Sequence, residues 1–213
     1  MKKTTTELDD SLGDIGLRNL GSFAVTPTDG LPAETGSLLL IGPDEPNFWV
    51  SFCQSSEYAG GGPDALDRWS RRHLDRIASE YQGHALYPFG GPPYQPFHTW
   101  ALRTGQFWAS PIGFLVHAQV GLFVSFRGAL LVQAEMPAAR GTKPCDSCSD
   151  MPCLSACPVD AFADGYDVAA CKSHLRVPEN SCMTAGCLAR HACPVGKGRR
   201  LPEQAAFHMK AFL

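Results

Sequence analysis

Eight of the nine cysteines lie between Cys145 and Cys193, and their spacing is the strongest chemical signal in the chain. The first group is Cys145, Cys148, Cys153 and Cys157-Pro158, with two, four and three residues between successive cysteines. The second is Cys171, Cys182, Cys187 and Cys193-Pro194, with ten, four and five. Four thiolates that converge can hold a cube of iron and sulfide, or a single zinc ion. The start, MKKTTTELDD, has two lysines with no apolar run after them. No secretory signal is therefore expected, and the predicted location is the reducing cytoplasm, where clustered thiols bind metals rather than pair as disulfides.

A short loop supplies three ligands to a cube but cannot surround it, so the fourth must come from elsewhere. In bacterial two-cluster ferredoxins the Cys before Pro ligates the other cluster. Divided in that way, the eight cysteines predict two complete sets for two [4Fe–4S] clusters. Cys145, Cys148, Cys153 and Cys193 hold the first; Cys157, Cys171, Cys182 and Cys187 hold the second. The segment Pro158–Phe162 followed by Asp164–Tyr166 resembles the linking hairpin of such ferredoxins. Two extra residues in the first group, and a looser second group, depart from the usual C-x2-C-x2-C-x3-C-P spacing. Zinc in a redox-silent structural protein is the competing reading.

Other residues near the cysteines have simpler roles. His174, Arg190 and His191 are expected to cover the clusters or donate hydrogen bonds to sulfur, not to ligate. The run Gly196–Arg200 (GKGRR) reads as a solvated turn, with an anion or acidic-partner contact as the alternative. Cys53, alone in Val50–Cys53, reads as a small buried apolar residue.

Elements that could position this chemistry follow from periodicity. Leu12, Ile15, Leu17 and Leu20 form an imperfect helical stripe, and Ser22–Thr26 alternates as a strand does. Ser37–Ile41 (SLLLI), closed by Gly42-Pro43, predicts a buried strand. Asp64, after Gly60-Gly61-Gly62-Pro63, reads as a helix N-cap, with Leu66, Trp69, His73, Ile77 and Tyr81 at helical spacing. That glycine-rich loop lacks a Walker lysine and a G-x-G-x-x-G pattern, so a flexible loop is expected rather than a phosphate site. His84–Phe89 predicts a strand, Gly90–Pro96 an irregular loop, and His98–Thr104 a short helix ended by Gly105. Phe114–His117, Leu122–Phe126 and Ala129–Val132 predict three further strands.

The chain has 213 residues and a net charge of -3, with 44% hydrophobic and 18% charged residues. This composition suits a folded protein and gives no reason to expect a nucleic-acid partner. No apolar stretch reaches the roughly 20 residues of a membrane helix, so no membrane partner is expected. The boundary is placed at Pro137–Pro144, giving an α+β domain over 1–140 and a cysteine domain over 141–213.

Gly105 to Cys193 resembles the C-terminal half of epoxyqueuosine reductase, a cobalamin-dependent iron–sulfur enzyme of transfer-RNA modification. The shared order is a helix, a Gly, a His-bearing strand, a Gly, two more strands and the eight-cysteine module, with Cys171 matching that enzyme's isolated cysteine. The first 140 residues are similar to the cobalamin-processing decyanase family, through Ser22–Pro27, Leu38–Pro43, a helix, and a hairpin like Leu115–Leu131. Together the resemblances imply a nitroreductase-like α/β sandwich followed by a two-cubane bacterial ferredoxin-like module. They also imply a corrinoid or a flavin in a pocket walled by Tyr94, Trp100, His117 and Phe126. One departure matters: Pro88–Pro96 has no Asp or Glu where epoxyqueuosine reductase carries an acid, so the proton donor for epoxide opening is missing there. His98 is the substitute within reach. The expectation is an iron–sulfur electron-transfer protein linked to a corrinoid or flavin reductase, with an unidentified redox partner protein. A non-catalytic ferredoxin-like partner of a larger reductase is the alternative.

Overall fold

The computed structural model describes residues 4–136 and 139–213. Pro137, where the expected boundary begins, lies outside the described residues, as do Met1–Lys3. The fold is mixed α and β. Its elements run α1 (Thr5–Gly13), β1 (Leu17–Ala24), β2 (Ser37–Pro43), α2 (Asn47–Cys53), α3 (Ser56–Gly60), α4 (Ala65–Glu80), β3 (His84–Leu86) and α5 (Phe97–Arg103). There follow β4 (Phe107–Ala109), β5 (Leu115–His117), β6 (Gly128–Val132), α6 (Val168–Leu175), α7 (Ser181–Ala185), α8 (Leu188–His191) and α9 (Pro202–Phe212). Short 3-10 turns at Pro144–Ser147 and Pro152–Leu154 carry the first cysteines.

Two compact units emerge: Met1–Gln106 with Ser125–Arg140, and Phe107–Val124 with Gly141–Leu213. The segment 107–124, read from sequence with the first domain, thus groups with the cysteine residues.

The first unit is built on an antiparallel sheet in the order β1-β2-β6-β3. Leu38, Leu39, Leu40 and Ile41 of β2 are fully buried, which explains their continuous apolar run: a central strand covered on both faces has no polar positions to alternate. Helix α1 starts with a capping box, Thr4 accepting from the Glu7 N–H while Glu7 accepts from the Thr4 N–H. It ends at Gly13, so Leu17 and Leu20 of the expected helical stripe lie in β1 instead. The apolar stretch of α2 packs against α3 and α4 through rings, Phe48 and Phe52 lying 5.5 and 6.0 Å from Trp69.

Helix α4 matches its expected span, but its start differs. Asp64 adopts a left-handed conformation (φ 52°) and its side chain caps nothing. The preceding loop is tied instead by Arg68, which donates to the carbonyls of Gly61 (2.6 Å) and Pro63 (3.2 Å). These contacts use loop carbonyls, not the N–H groups a phosphate would need.

The second unit holds a two-stranded sheet, β4 paired antiparallel with β5. Leu122–Phe126, expected as a strand, is not one, and β6 joins β2 and β3 rather than β5. The hairpin expected over Leu115–Leu131 is therefore absent: its two strands belong to different sheets. The reason is local. His117 and Gly121 exchange backbone hydrogen bonds at 2.9 and 3.0 Å, closing a tight turn directly after β5. The core of this unit combines Ile112, Val116 and Leu122 with Phe162, Ala189 and two cysteines, Cys153 and Cys193.

Candidate metal centre

None of the nine cysteines, all of them among the described residues, is joined in a disulfide. The second unit gathers eight of them around two cavities. Cys145, Cys148, Cys153 and Cys193 line one, together with Val116 of β5 and Leu122 just after the turn that follows it. Cys157, Cys171, Cys182 and Cys187 line the other, with Phe162 and Leu175. These are the two sets expected from the spacing, including the exchange of the Cys-Pro cysteines between groups. The electrostatic neighbours divide in the same way: Cys145 feels Cys193 and Cys148, while Cys182 feels Cys187, Cys157 and Cys171.

Each set is delivered by several elements. A 3-10 turn carries Cys145 and ends on Cys148, whose N–H returns to the Cys145 carbonyl at 3.2 Å. Cys153 lies in the next 3-10 turn, and Cys193 follows the end of α8. Gly121, at φ 58°, lies beside Val195 and Cys193. A Cβ there would run into the Val195 carbonyl and come within 2.9 Å of the Cys193 Sγ. For the second set, α6 carries Cys171, α7 carries Cys182, and Cys187 is the N-cap of α8.

Burial dominates the electrostatics, pushing the thiols of Cys145, Cys153, Cys182 and Cys187 above the ordinary range. Backbone N–H groups work against it. The N–H of Leu188 reaches Cys182, and those of Arg190 and Ala189 reach Cys187. Ala161 N–H donates to Cys157 Sγ at 3.4 Å. The Tyr166 hydroxyl hydrogen-bonds Cys171, and burial together with that bond raises its pKa. Converging N–H donors on sulfur are what a thiolate set needs. These donors all serve the second set; each cavity is otherwise walled mainly by apolar side chains, with Ser110 at the first and His174 at the second, and four converging thiols fit a group that binds through sulfur. Among the described residues, no three His, Cys, Asp or Glu side chains meet closely enough to hold a single metal ion.

The remaining expected residues fall as follows. Tyr94 is 67% exposed. Trp100 is core, its ring 5.1 Å from that of Phe97, and half-buried Phe126 lies 5.6 Å from the Phe97 ring. His117, in the second unit, is buried and its Nδ1 accepts from the N–H groups of Gln119 (3.1 Å) and Val120 (3.2 Å). The two cysteine cavities are lined by none of these four. Cys53 ends α2 in the first unit. His174 lines the second cavity with its Nε2 buried and lacking a hydrogen-bond partner. The basic run does not behave as one solvated turn: Lys197 and Arg199 are exposed, but Arg200 is buried and donates to the Phe123 carbonyl at 3.3 Å. Phe114, stacked edge-on to Phe162 and Tyr166, was not singled out by sequence, since its partners lie about 50 residues away.

No protein-family model matches the chain, and no curated protein matches it.

Proposed function

We propose that the protein is an iron–sulfur electron-transfer protein holding two [4Fe–4S] clusters. Cys145, Cys148, Cys153 and Cys193 hold one cluster, and Cys157, Cys171, Cys182 and Cys187 the other. The observation that carries the reading is the division of eight cysteines between two cavities along the crossed pattern of two-cluster ferredoxins. When bound, such clusters accept and release single electrons at potentials set by burial and hydrogen bonds to sulfur.

The chain's own residues supply the rest. Leu122, Val116 and Phe162 keep water from the sulfurs. The N–H groups of Ala161, Leu188, Ala189 and Arg190 favour the thiolate form. In this reading the second unit is a ferredoxin-like module and the first a nitroreductase-like α+β unit, and the protein works in the cytoplasm with a corrinoid- or flavin-linked reductase. Epoxide reduction is not part of the proposal, because the loop before α5 carries no acid and His98, in the first turn of α5, is exposed. The test is metal and sulfide analysis of anaerobically purified protein with a visible spectrum. A brown protein with iron and acid-labile sulfide in equal amounts is expected. A colourless protein with stoichiometric zinc would overturn the proposal in favour of a structural role.

A further inference from the structure

A third cavity in the second unit differs from the two cysteine cavities. It encloses about 790 Å³ outside the protein atoms, counting its open mouth. Arg190, Arg200, His191 and His208 line it, and no Asp or Glu is among the described residues that do. The rest of its wall is largely aromatic, from Phe114, Phe123, Tyr166 and Phe212. The Arg190 guanidinium sits 4.8 Å from the centre of the Phe114 ring, and that of Arg200 5.1 Å from Phe123. Stacking of this kind orients each guanidinium plane.

The opposite charges that act on Arg190 are those of the Cys187 sulfur and the Tyr166 hydroxyl, not of a carboxylate. Arg190 lies close enough to Arg200 to feel its repulsion, and no carboxylate pairs with Arg190 among the described residues. His191 packs 4.9 Å from the Phe123 ring, and its Nε2 is buried without a hydrogen-bond partner. A buried nitrogen left unpaired costs stability unless something completes it. Two oriented guanidinium groups around one opening match the oxygens of a phosphate or carboxylate. The rings match a flat, apolar body.

We propose that this cavity is a binding site for a small aromatic anion. The anionic group is held by Arg190 and Arg200, and the ring lies against the Phe114, Phe123, Tyr166 and Phe212 wall. Cys171 and Cys187 also line the cavity, so a bound molecule borders the second cysteine set. Its place beside a redox centre rests on the iron–sulfur reading; the binding itself does not.

The experiment uses the full chain after anaerobic reconstitution, with iron content measured first. The probes are 1-naphthyl phosphate, uncharged 1-naphthol and inorganic phosphate, followed by equilibrium dialysis. The naphthyl phosphate is expected to bind one per chain, at least about tenfold tighter than either of the others, since it alone uses both the cations and the rings. Arg200→Gln should weaken it about tenfold or more while 1-naphthol binding and iron content stay the same. If Arg200→Gln also loses iron, Arg190→Lys carries the test, because it keeps the charge beside Cys187 but not the planar fork. Iron-replete protein that binds the phosphate and the naphthol alike, or that binds neither, would overturn the inference and leave the arginines as counter-charges to the cysteine set. If iron is absent, the iron–sulfur reading fails, and the same titration still decides the binding site.

Discussion

At the scale of single residues, burial and hydrogen bonding pull the cysteine thiols in opposite directions. Apolar surroundings favour the protonated thiol, and the N–H groups around Cys182 and Cys187 favour the thiolate. A metal that binds sulfur decides this contest, because a coordinating thiol is deprotonated outright. Cys53 stands outside it, in the first unit at the end of α2. Cys53→Ala should therefore leave iron and sulfide content unchanged, and a lost cluster in that variant would show that one of the eight assigned cysteines is not a ligand. The grouping of these cysteines around two cavities was legible in the sequence, since Cys-Pro and short spacings are local marks. Arg200 was not legible. Its burial depends on Phe123, 77 residues earlier, and a run of Gly, Lys and Arg looks the same whether one arginine turns inward or not.

At the scale of elements, long periodic segments were readable, as were the short β3, α5, β5 and β6, while other short segments were not. β2 and α4 carry patterns of full burial and helical spacing that survive in the fold. Leu39 is fully buried in the central strand, so Leu39→Ala should cost about 2–5 kcal/mol in a denaturant titration; a loss under about 1 kcal/mol would mean the sheet core collapses around the gap. β4, with three residues, is too short for any alternation to show. Leu122–Phe126 has the composition of a strand but runs across the change from one compact unit to the other, which begins at Ser125. Gly121 marks the turn before it and packs beside Val195 and Cys193. Gly121→Ala meets both an unfavourable positive φ and the Val195 carbonyl, and the Cys193 sulfur must shift. The expected result is a protein that keeps the second cluster and loses about half its iron. Full iron content in Gly121→Ala would show that Cys193 does not depend on this close approach.

At the scale of the whole molecule, acid works against the first unit through identifiable groups. Burial, with like charge from Arg72 and Arg76, brings His73 down to about 4. The unfolded chain binds a proton there as pH falls through 6.5, and the folded chain refuses it until about 4, so stability is lost across that window. Asp29 and Glu57 are each held at about 2, first by side-chain hydrogen bonds from Arg103 and Arg72. Their contribution is complete above the ordinary carboxylate range and is lost as pH falls toward 2; both sit near the surface, so salt screens it. His73→Gln should flatten the fall in denaturation midpoint between pH 6.5 and 4.5, and an unchanged slope would assign that fall to other groups. Among the described residues, no helix is long and apolar enough to cross a membrane. The central claim is that the second unit holds two clusters, each completed by a cysteine from the other sequence group. Its most direct measurement compares iron content and reduced-state electron paramagnetic resonance of the wild-type chain with those of Cys145→Ser, Cys193→Ser and Cys182→Ser. The account predicts about eight irons in the wild type and about four in each variant. It further predicts that Cys193→Ser and Cys145→Ser lose one and the same signal and Cys182→Ser the other. A Cys193→Ser protein that loses the signal lost in Cys182→Ser, and keeps the one lost in Cys145→Ser, would contradict it.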